Sequence, residues 1–240
     1  MNLMHITLYV SLFCFVIFFL YILLYKSYFL SASKITTPDQ ALAELMQGNK
    51  EYNSFWNFIT RAKRKSVATM QRPFAIILSC SDSRVPTEII FNQLDLGSLF
   101  IIRNAGNVAD GVVLGSIEFG VAKLEALVII VLGHERCGAI NATIDSIIHN
   151  SPEQSGHIKD IIDAIKPAAH TILEKNNISQ CTNNAAKDKI INKVVKENVR
   201  QVMNNLYKNS TIIATAIDSN KIKMIGAYYD LDDGNVELIK

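Results

Sequence analysis

Cysteine is scarce in this chain: Cys14, Cys80, Cys137 and Cys181 are the only four in 240 residues. Four are too few for a disulfide framework, and no Cys-x-x-Cys pair marks a redox motif. An excess of one charge is also lacking, since 24 Lys and Arg stand against 22 Asp and Glu for a net charge of +2. That excludes the strong basic field of a nucleic-acid-binding chain, and Lys63-Arg64-Lys65 reads as a solvated face. Tryptophan occurs once, at Trp56, and no internal repeat or low-complexity tract is present. What is present, 49% hydrophobic and 19% charged residues, suffices for one domain of about 200 residues with a full core, plus a short extra segment.

That extra segment is the stretch most depleted of charge. Ile6 to Tyr25, ITLYVSLFCFVIFFLYILLY, carries no formal charge. Its length suits a bilayer-spanning helix, which needs about 20 apolar residues. A cleaved signal peptide is the alternative, with Ser31-Ala32-Ser33 as a small-residue cleavage site, but no Lys or Arg precedes the apolar run and the run exceeds the usual apolar region of such peptides. Residues 1–35 are therefore read as a membrane anchor or signal segment, and 36–240 as the single folded domain. Lys26 and Lys34 flank the carboxyl side, which leans towards a cytoplasmic domain, whereas a lone N-terminal apolar segment often exports the domain behind it. The expectation is anchorage in a bacterial inner membrane, with the side open and a periplasmic protein after cleavage as the alternative.

Strand-like apolar runs occur at Phe74–Leu78, Leu99–Ile102, Leu127–Leu132 and Ile212–Ile217, with an edge strand at Lys223–Tyr229 and a turn at Gly234 before Val236–Ile239. Helical patterns separate them. Thr37-Pro38-Asp39 opens a helix to about Met46, ended by Gly48, with Ala41, Leu42, Leu45 and Met46 on its apolar face. Val112–Leu124 and Ile190–Leu206 are two more, the latter with Val194, Val195, Val199, Val202, Met203 and Leu206 on one side. Strands alternating with helices predict an α/β fold, a mostly parallel central sheet of four strands plus an edge strand, flanked by helices. Residues 148–184 are the hardest to read. His149, His157 and His170 fall there without ligand-like spacing and are taken as surface or packing histidines, and Cys181 as a bystander.

Two motifs sit at the carboxyl ends of apolar runs: Cys80-Ser81-Asp82-Ser83-Arg84 and Gly133-His134-Glu135-Arg136-Cys137-Gly138. In open α/β sheets the crevice at those ends is where ligands bind. Two thiols and one imidazole suit Zn²⁺, and three protein ligands with a fourth position open is the catalytic pattern. A redox pairing of Cys80 with Cys137 is the weaker alternative. Two thiolates place negative charge on the ligand set, so bound water should acidify less than with three imidazoles, and activity should favour neutral to alkaline pH.

Cys-Ser-Asp-Ser-Arg-Val-Pro (80–86) and Gly-His-Glu-Arg-Cys-Gly-Ala (133–139) resemble the two signature motifs of β-class carbonic anhydrases. Phe100-Ile-Ile-Arg-Asn-Ala-Gly-Asn107, Gly115-Ser-Ile-Glu-Phe-Gly-Val121 and Gly226-Ala-Tyr-Tyr-Asp-Leu-Asp-Asp-Gly234 resemble further segments of that family, and the likeness runs from about Pro38 to the C-terminus. The resemblance is to bacterial members with a plant-type-like active site. It implies one zinc per chain on Cys80, His134 and Cys137, and hydration of CO₂ to bicarbonate and a proton by attack of zinc-bound hydroxide. It implies a catalytic pair in which Arg84 holds Asp82 and Asp82 accepts a hydrogen bond from the nucleophile. It implies a substrate pocket of Gln71, Phe100, Ala105, Phe119 and Gly138, with Gln71 pointing to the constitutively open type. Phe119 stands where many members carry tyrosine. Partners implied are CO₂ and bicarbonate and further copies of the chain in a homodimer or tetramer, with Trp56 and Phe58 in a region that packs across a partner subunit. A related zinc hydrolase of carbon disulfide or carbonyl sulfide, and a silent zinc-binding module, are the competing readings. Intact Asp82 and Arg84 argue against the second.

Overall fold

A computed structural model describes residues 12–19, 35–53, 58–149, 156–176 and 184–239. Trp56, Cys181, Ser31–Ser33, Lys26, Lys34 and most of the expected span at 6–25 lie outside the described residues. The chain divides into two compact units, 1–62 and 63–240.

In the first unit, residues 12–19 are helical and solvent-exposed. Among the described residues no helix is long and apolar enough to cross a membrane. Helix α1 (Pro38–Tyr52) starts at a capping box: Thr37 Oγ1 accepts from the Gln40 amide at 3.2 Å, and Gln40 Oε1 accepts from the Thr37 amide at 3.2 Å. Both donors would otherwise be orphans of the first turn. The helix does not stop at Gly48 as expected but continues to an Asn53 cap. An interior glycine costs a helix only about 1 kcal/mol against alanine, too little to end it. Leu42, Leu45 and Met46 are all exposed. Helix α2 (Phe58–Ser66) runs across the division and ends, within the second unit, on Lys63, Arg64 and Lys65, where Lys63 pairs with Asp95 of the same unit at 3.3 Å.

The second unit is built on a five-stranded sheet in the order β2-β1-β3-β4-β5, comprising β1 (Ala75–Cys80), β2 (Leu99–Asn104), β3 (Val128–His134), β4 (Lys223–Tyr229) and β5 (Val236–Ile239). The first four are mutually parallel, and β5 is an antiparallel edge. Besides the single turn Thr87–Ile90, the helices of this unit are α3 (Gly111–Ala122), α4 (Gly138–Ile148), α5 (Ile158–Lys175), α6 (Asn184–Asn209) and α7 (Thr211–Asp218). Four parallel strands with one edge strand match the expected sheet, but the membership differs. The run at 212–217 is helix α7, and Lys223–Tyr229 is the fourth parallel strand. Ser210 Oγ caps α7 by accepting from the Ile213 amide at 3.1 Å, and Ile213 and Ala216, three apart, are the buried pair. A short apolar run does not declare its own period, so the cap decides.

One face of the sheet is sealed by helices. Ile76, Leu78, Ile129 and Val131 pack with Val113 and Ile117 of α3, Val199, Val202 and Leu206 of α6, and Ile213 of α7. Helix α6 lies close on β3 and β4 because glycines face it. A Cβ on Gly133 would meet Val195 Cγ1 at 2.6 Å, and one on Gly226 would meet Met203 Sδ at 2.8 Å. Around the carboxyl strand ends a second cluster joins Cys80 and Cys137 to Ile140, Ile144, Ile165 and Val194. The opposite face is thinner, with Ile77, Val85, Leu132 and Ala227 at its centre. Strand β2 is only half-buried along its length, whereas every residue of β1 is buried.

Candidate metal centre

Two strands and one helix deliver the cluster. Cys80 is the last residue of β1, His134 the last of β3, and Cys137 the residue that precedes α4. All three are buried, and their ligand atoms lie within 4.8 Å of one another. The chain turns between His134 and Cys137 with Arg136 in the left-handed region (φ 50°), a conformation that a non-glycine residue holds only when its surroundings enforce it. Here they do. Arg136 Nη1 donates to Asp232 at 3.2 Å, its Nη2 pairs with Glu135 at 3.0 Å, and its amide points to Asn192 Oδ1 at 3.5 Å.

The donor set fits zinc. His134 Nδ1 lies 2.9 Å from the Glu135 carbonyl oxygen, so Nδ1 carries the proton and Nε2 keeps its lone pair. That Nε2 is buried with no hydrogen-bond partner and faces the two sulfurs. A ring fixed through one nitrogen with the other left bare is how a ligating histidine is held. Cys80 Sγ accepts from the Gly106 amide at 3.4 Å. The Cys137 thiol, paired with Cys80, holds the Cys80 thiol well below the ordinary range against the opposing effect of burial, with His134 and Gly106 adding to it. The same pairing, then burial, pushes the Cys137 thiol up, while the Ile140 and Ala139 amides at the start of α4 pull it down.

Asp82 and Arg84 stand beside the cluster. Arg84 donates to Asp82 in a fork, Nε to Oδ1 at 3.0 Å and Nη2 to Oδ2 at 2.8 Å, and its amide also donates to Oδ1 at 2.9 Å. Chiefly through the Arg84 side chain, Asp82 is held at a pKa of about 2, so it is an anion at neutral pH. Its Oδ2 lies 3.9 Å from His134 Nε2. Arg84 Nη2 reaches on to the Arg136 carbonyl at 3.3 Å, tying the first motif to the second.

The remaining sequence-predicted residues divide in two. Ala105 opens the 3₁₀ turn Ala105–Asn107 beside Cys80, and Gly138 follows Cys137. Beyond its chain neighbours and its own helix backbone, nothing lies within 4 Å of where a Gly138 Cβ would be, so packing against other elements does not demand glycine there. Gln71, Phe100 and Phe119 are not brought to the cluster within the chain. Strand β1 rises about 3.3 Å per residue, which separates its ends by about 16 Å, and Gln71 precedes the far end. It lines an open cavity of about 1090 Å³ with Val67, Arg72, Phe74, Lys123 and Leu127. Phe100 and Phe119 pack on each other, with centroids 6.3 Å apart, and Phe100 pairs in register with Ile76, four residues before Cys80. His149, His157 and His170 stand outside the cluster, as expected.

Two residues that sequence reasoning did not single out shape the site. Arg103 donates Nε to the Cys80 carbonyl at 3.0 Å and Nη2 to the Asp82 carbonyl at 2.6 Å, clamping the backbone that carries both motif residues. Asn198 donates Nδ2 to the Gly106 carbonyl at 3.0 Å. Its signal was a polar residue set between Val194, Val195, Val199 and Val202 on the apolar side of a helix.

A carbonic anhydrase family model matches residues 75–236. The chain is 36% identical over 176 residues to a carbonic anhydrase of Mycolicibacterium smegmatis, a stretch covering 73% of this chain and 79% of that one. Among solved structures, a Coccomyxa β-carbonic anhydrase in complex with acetazolamide superposes with a TM-score of 0.68 at 25% identity, covering 82% of this chain and 86% of the other. A tetrameric β-carbonic anhydrase from Sordaria macrospora shares the fold with a TM-score of 0.70 at 20% identity, over 83% and 96% of the two chains. With the family model spanning the four parallel strands and both motifs, the chain belongs to the β-class carbonic anhydrases.

Proposed function

We propose that this chain catalyses the reversible reaction CO₂ + H₂O ⇌ HCO₃⁻ + H⁺. The observation that carries the reading is the buried Cys80–His134–Cys137 cluster with the forked Asp82–Arg84 pair next to it. Cys80, His134 and Cys137 would hold zinc, which when bound supplies a Lewis acid that lowers the pKa of water from about 15.7 to about 7. Asp82 Oδ2 is a fixed acceptor beside that position. An unprotonated carboxylate receives the O–H of the reacting water and has no proton to return, so the water presents a lone pair to the carbon of CO₂. Arg84 occupies both Asp82 oxygens and keeps them from turning onto the ligand cluster.

Gln71, Phe100 and Phe119 act on substrate only at the site of a second copy, because within one chain they lie away from the cluster. A homodimer or tetramer fits the surface. Strand β2 has an unpaired edge, and beside it on α3 Val112 is 80% and Phe119 49% exposed. A parallel sheet is ordinarily covered on its faces and edges, and here the β2 edge is left open. The N-terminal run at 6–25 is proposed to anchor the chain in a membrane, supported by its unbroken apolar sequence and by the exposed helical residues 12–19.

The test is stopped-flow CO₂ hydration by the full-length chain in detergent, from mildly acid to alkaline pH, with zinc measured on the same sample. About one zinc per chain and activity abolished in Asp82→Ala is the expected result. Bound zinc without hydration at any pH overturns the reading and moves the search to sulfur analogues of CO₂. Recovery of the intact chain in the soluble fraction without detergent overturns the anchor.

A further inference from the structure

Helix α6 turns an apolar stripe to the sheet, and Asn198 interrupts it while being only 2% exposed. An amide buried among valines is unfavourable unless it is hydrogen-bonded. Its Nδ2 donates to the carbonyl of Gly106, 92 positions earlier, at 3.0 Å. Gly106 in turn directs its own amide at Cys80 Sγ, at 3.4 Å. Asn198 is therefore one residue removed from the sulfur of a zinc ligand.

The intervening residue makes this link matter. Gly106 has φ +75°, and a Cβ there would lie 2.6 Å from Ile165 Cδ1 and 3.2 Å from Ala139 Cβ. Only glycine fits, and glycine is the residue least able to hold its own conformation. Something outside it must fix where its amide points. Asn104 brackets the loop, donating to the Val108 carbonyl at 2.8 Å and accepting from the Val108 amide at 2.9 Å, but neither bond is to Gly106. Asn205, seven residues beyond Asn198 on α6, donates to the Ala109 carbonyl at 3.2 Å, which anchors the loop past the residue that faces sulfur.

We infer that Asn198 is a positioning residue for the metal thiolate: by holding the Gly106 carbonyl it keeps the Gly106 amide on Cys80 Sγ and so sets the donor strength of that sulfur towards zinc. The inference rests on the zinc reading above. Hydrogen bonds to a ligating sulfur withdraw charge from it, and partners of this kind are part of how a protein tunes its metal. With the clamp gone, the glycine is free to turn, the sulfur loses its donor and the buried anionic ligand set is left less compensated.

The test uses the full-length protein with Asn198→Leu, which keeps the volume and suits the valine stripe, and Asn198→Ala as a second variant should the branched side chain not fit. Asn205→Ala is the control for loop anchoring alone. Zinc affinity is read by competition with a chromophoric chelator, and the sulfur-to-metal charge-transfer band is read after cobalt substitution. Both Asn198 variants should weaken zinc binding by about 10-fold and move the band to longer wavelength, because a sulfur without its donor is easier to oxidise. Asn205→Ala should leave the band in place even where it lowers the melting temperature. Unchanged affinity and band in both Asn198 variants overturn the inference. So does an equal shift in Asn205→Ala, which would reduce the role to anchoring. A wild-type protein that takes up neither zinc nor cobalt overturns the zinc reading itself, and this inference with it.

Discussion

Gly133→Ala adds one methyl group at the place where β3 meets α6, one residue before the ligand His134. That methyl would lie 2.6 Å from Val195 Cγ1, 2.9 Å from Val199 Cγ2 and 3.6 Å from the Val195 carbonyl oxygen. Ordinary carbon contacts are about 3.5–4.0 Å, so strand and helix must part by about 1 Å. The valines cannot swing aside, because a β-branched side chain in a helix has one strongly preferred rotamer and both residues are buried. Overpacking of this kind costs about 1–3 kcal/mol. The stiffer unfolded chain returns about 0.4–1 kcal/mol, which leaves a net loss of about 1–2 kcal/mol. With a urea slope of about 2 kcal/mol per M, the midpoint falls by about 0.5–1 M. Val195→Ala supplies the internal control. Alone it opens a cavity and destabilises; with Gly133→Ala it removes the nearest clash, so its penalty should vanish or change sign. Urea unfolding of the four proteins at one concentration decides the matter. A Gly133→Ala midpoint equal to or above that of the wild type, together with additive behaviour in the double variant, would refute the claim that the α6 contact requires glycine.

The Arg84–Asp82 pair has a definite pH signature. Its depressed carboxyl contributes stability that is complete above the unfolded value near 3.8 and is lost as pH falls towards about 2, so the gap in urea midpoint between wild type and Arg84→Ala should close over that window. A gap that persists unchanged at the acid end would mean that Arg84 acts through something other than Asp82. Cys137→Ser should lower zinc content and melting temperature together, and removal of zinc from the wild type by a chelator should lower the melting temperature reversibly, because a ligand that binds only the folded state stabilises it. Arg103→Ala should cost about 1.5–3 kcal/mol through the loss of two bonds from a charged donor to the Cys80 and Asp82 carbonyls. A denaturation midpoint within error of wild type would show that clamp to be idle.

The parts of the fold that were legible in sequence are those whose physics is local. Strands β1 and β3 are buried on both faces and so read as unbroken apolar runs. The ligands are legible too, because the carboxyl end of a parallel strand is where such a sheet binds. Residues 211–218 show the limit. Their composition is that of a strand, and what makes them a helix is the Ser210 hydroxyl, one group just outside the run. Gln71, carried over by resemblance, shows a different limit. Gln71 lies only nine positions from Cys80, but β1 runs away from it, so closeness in sequence is distance in space.

What sequence could not reveal is the support around the ligands, because it is made by pairs far apart in the chain. Asn198 and Gly106 are 92 positions apart, Arg136 and Asp232 are 96, and Arg103 reaches back 21 to Asp82. Each of these contacts grips backbone or turn, not a ligand atom. This division comes from how the site is assembled. The ligands come from two short segments at strand ends, so their spacing is visible, but three atoms converge within 4.8 Å only if the loop at Gly106, the turn at Arg136 and the strand end at Cys80 are held from outside. Those restraints come from α6, from the segment after β4 and from β2, elements that meet the site only once the sheet has formed. A substitution at Asn198 should therefore degrade the metal centre while leaving every quoted motif intact, and motif matching alone would pass such a chain as complete.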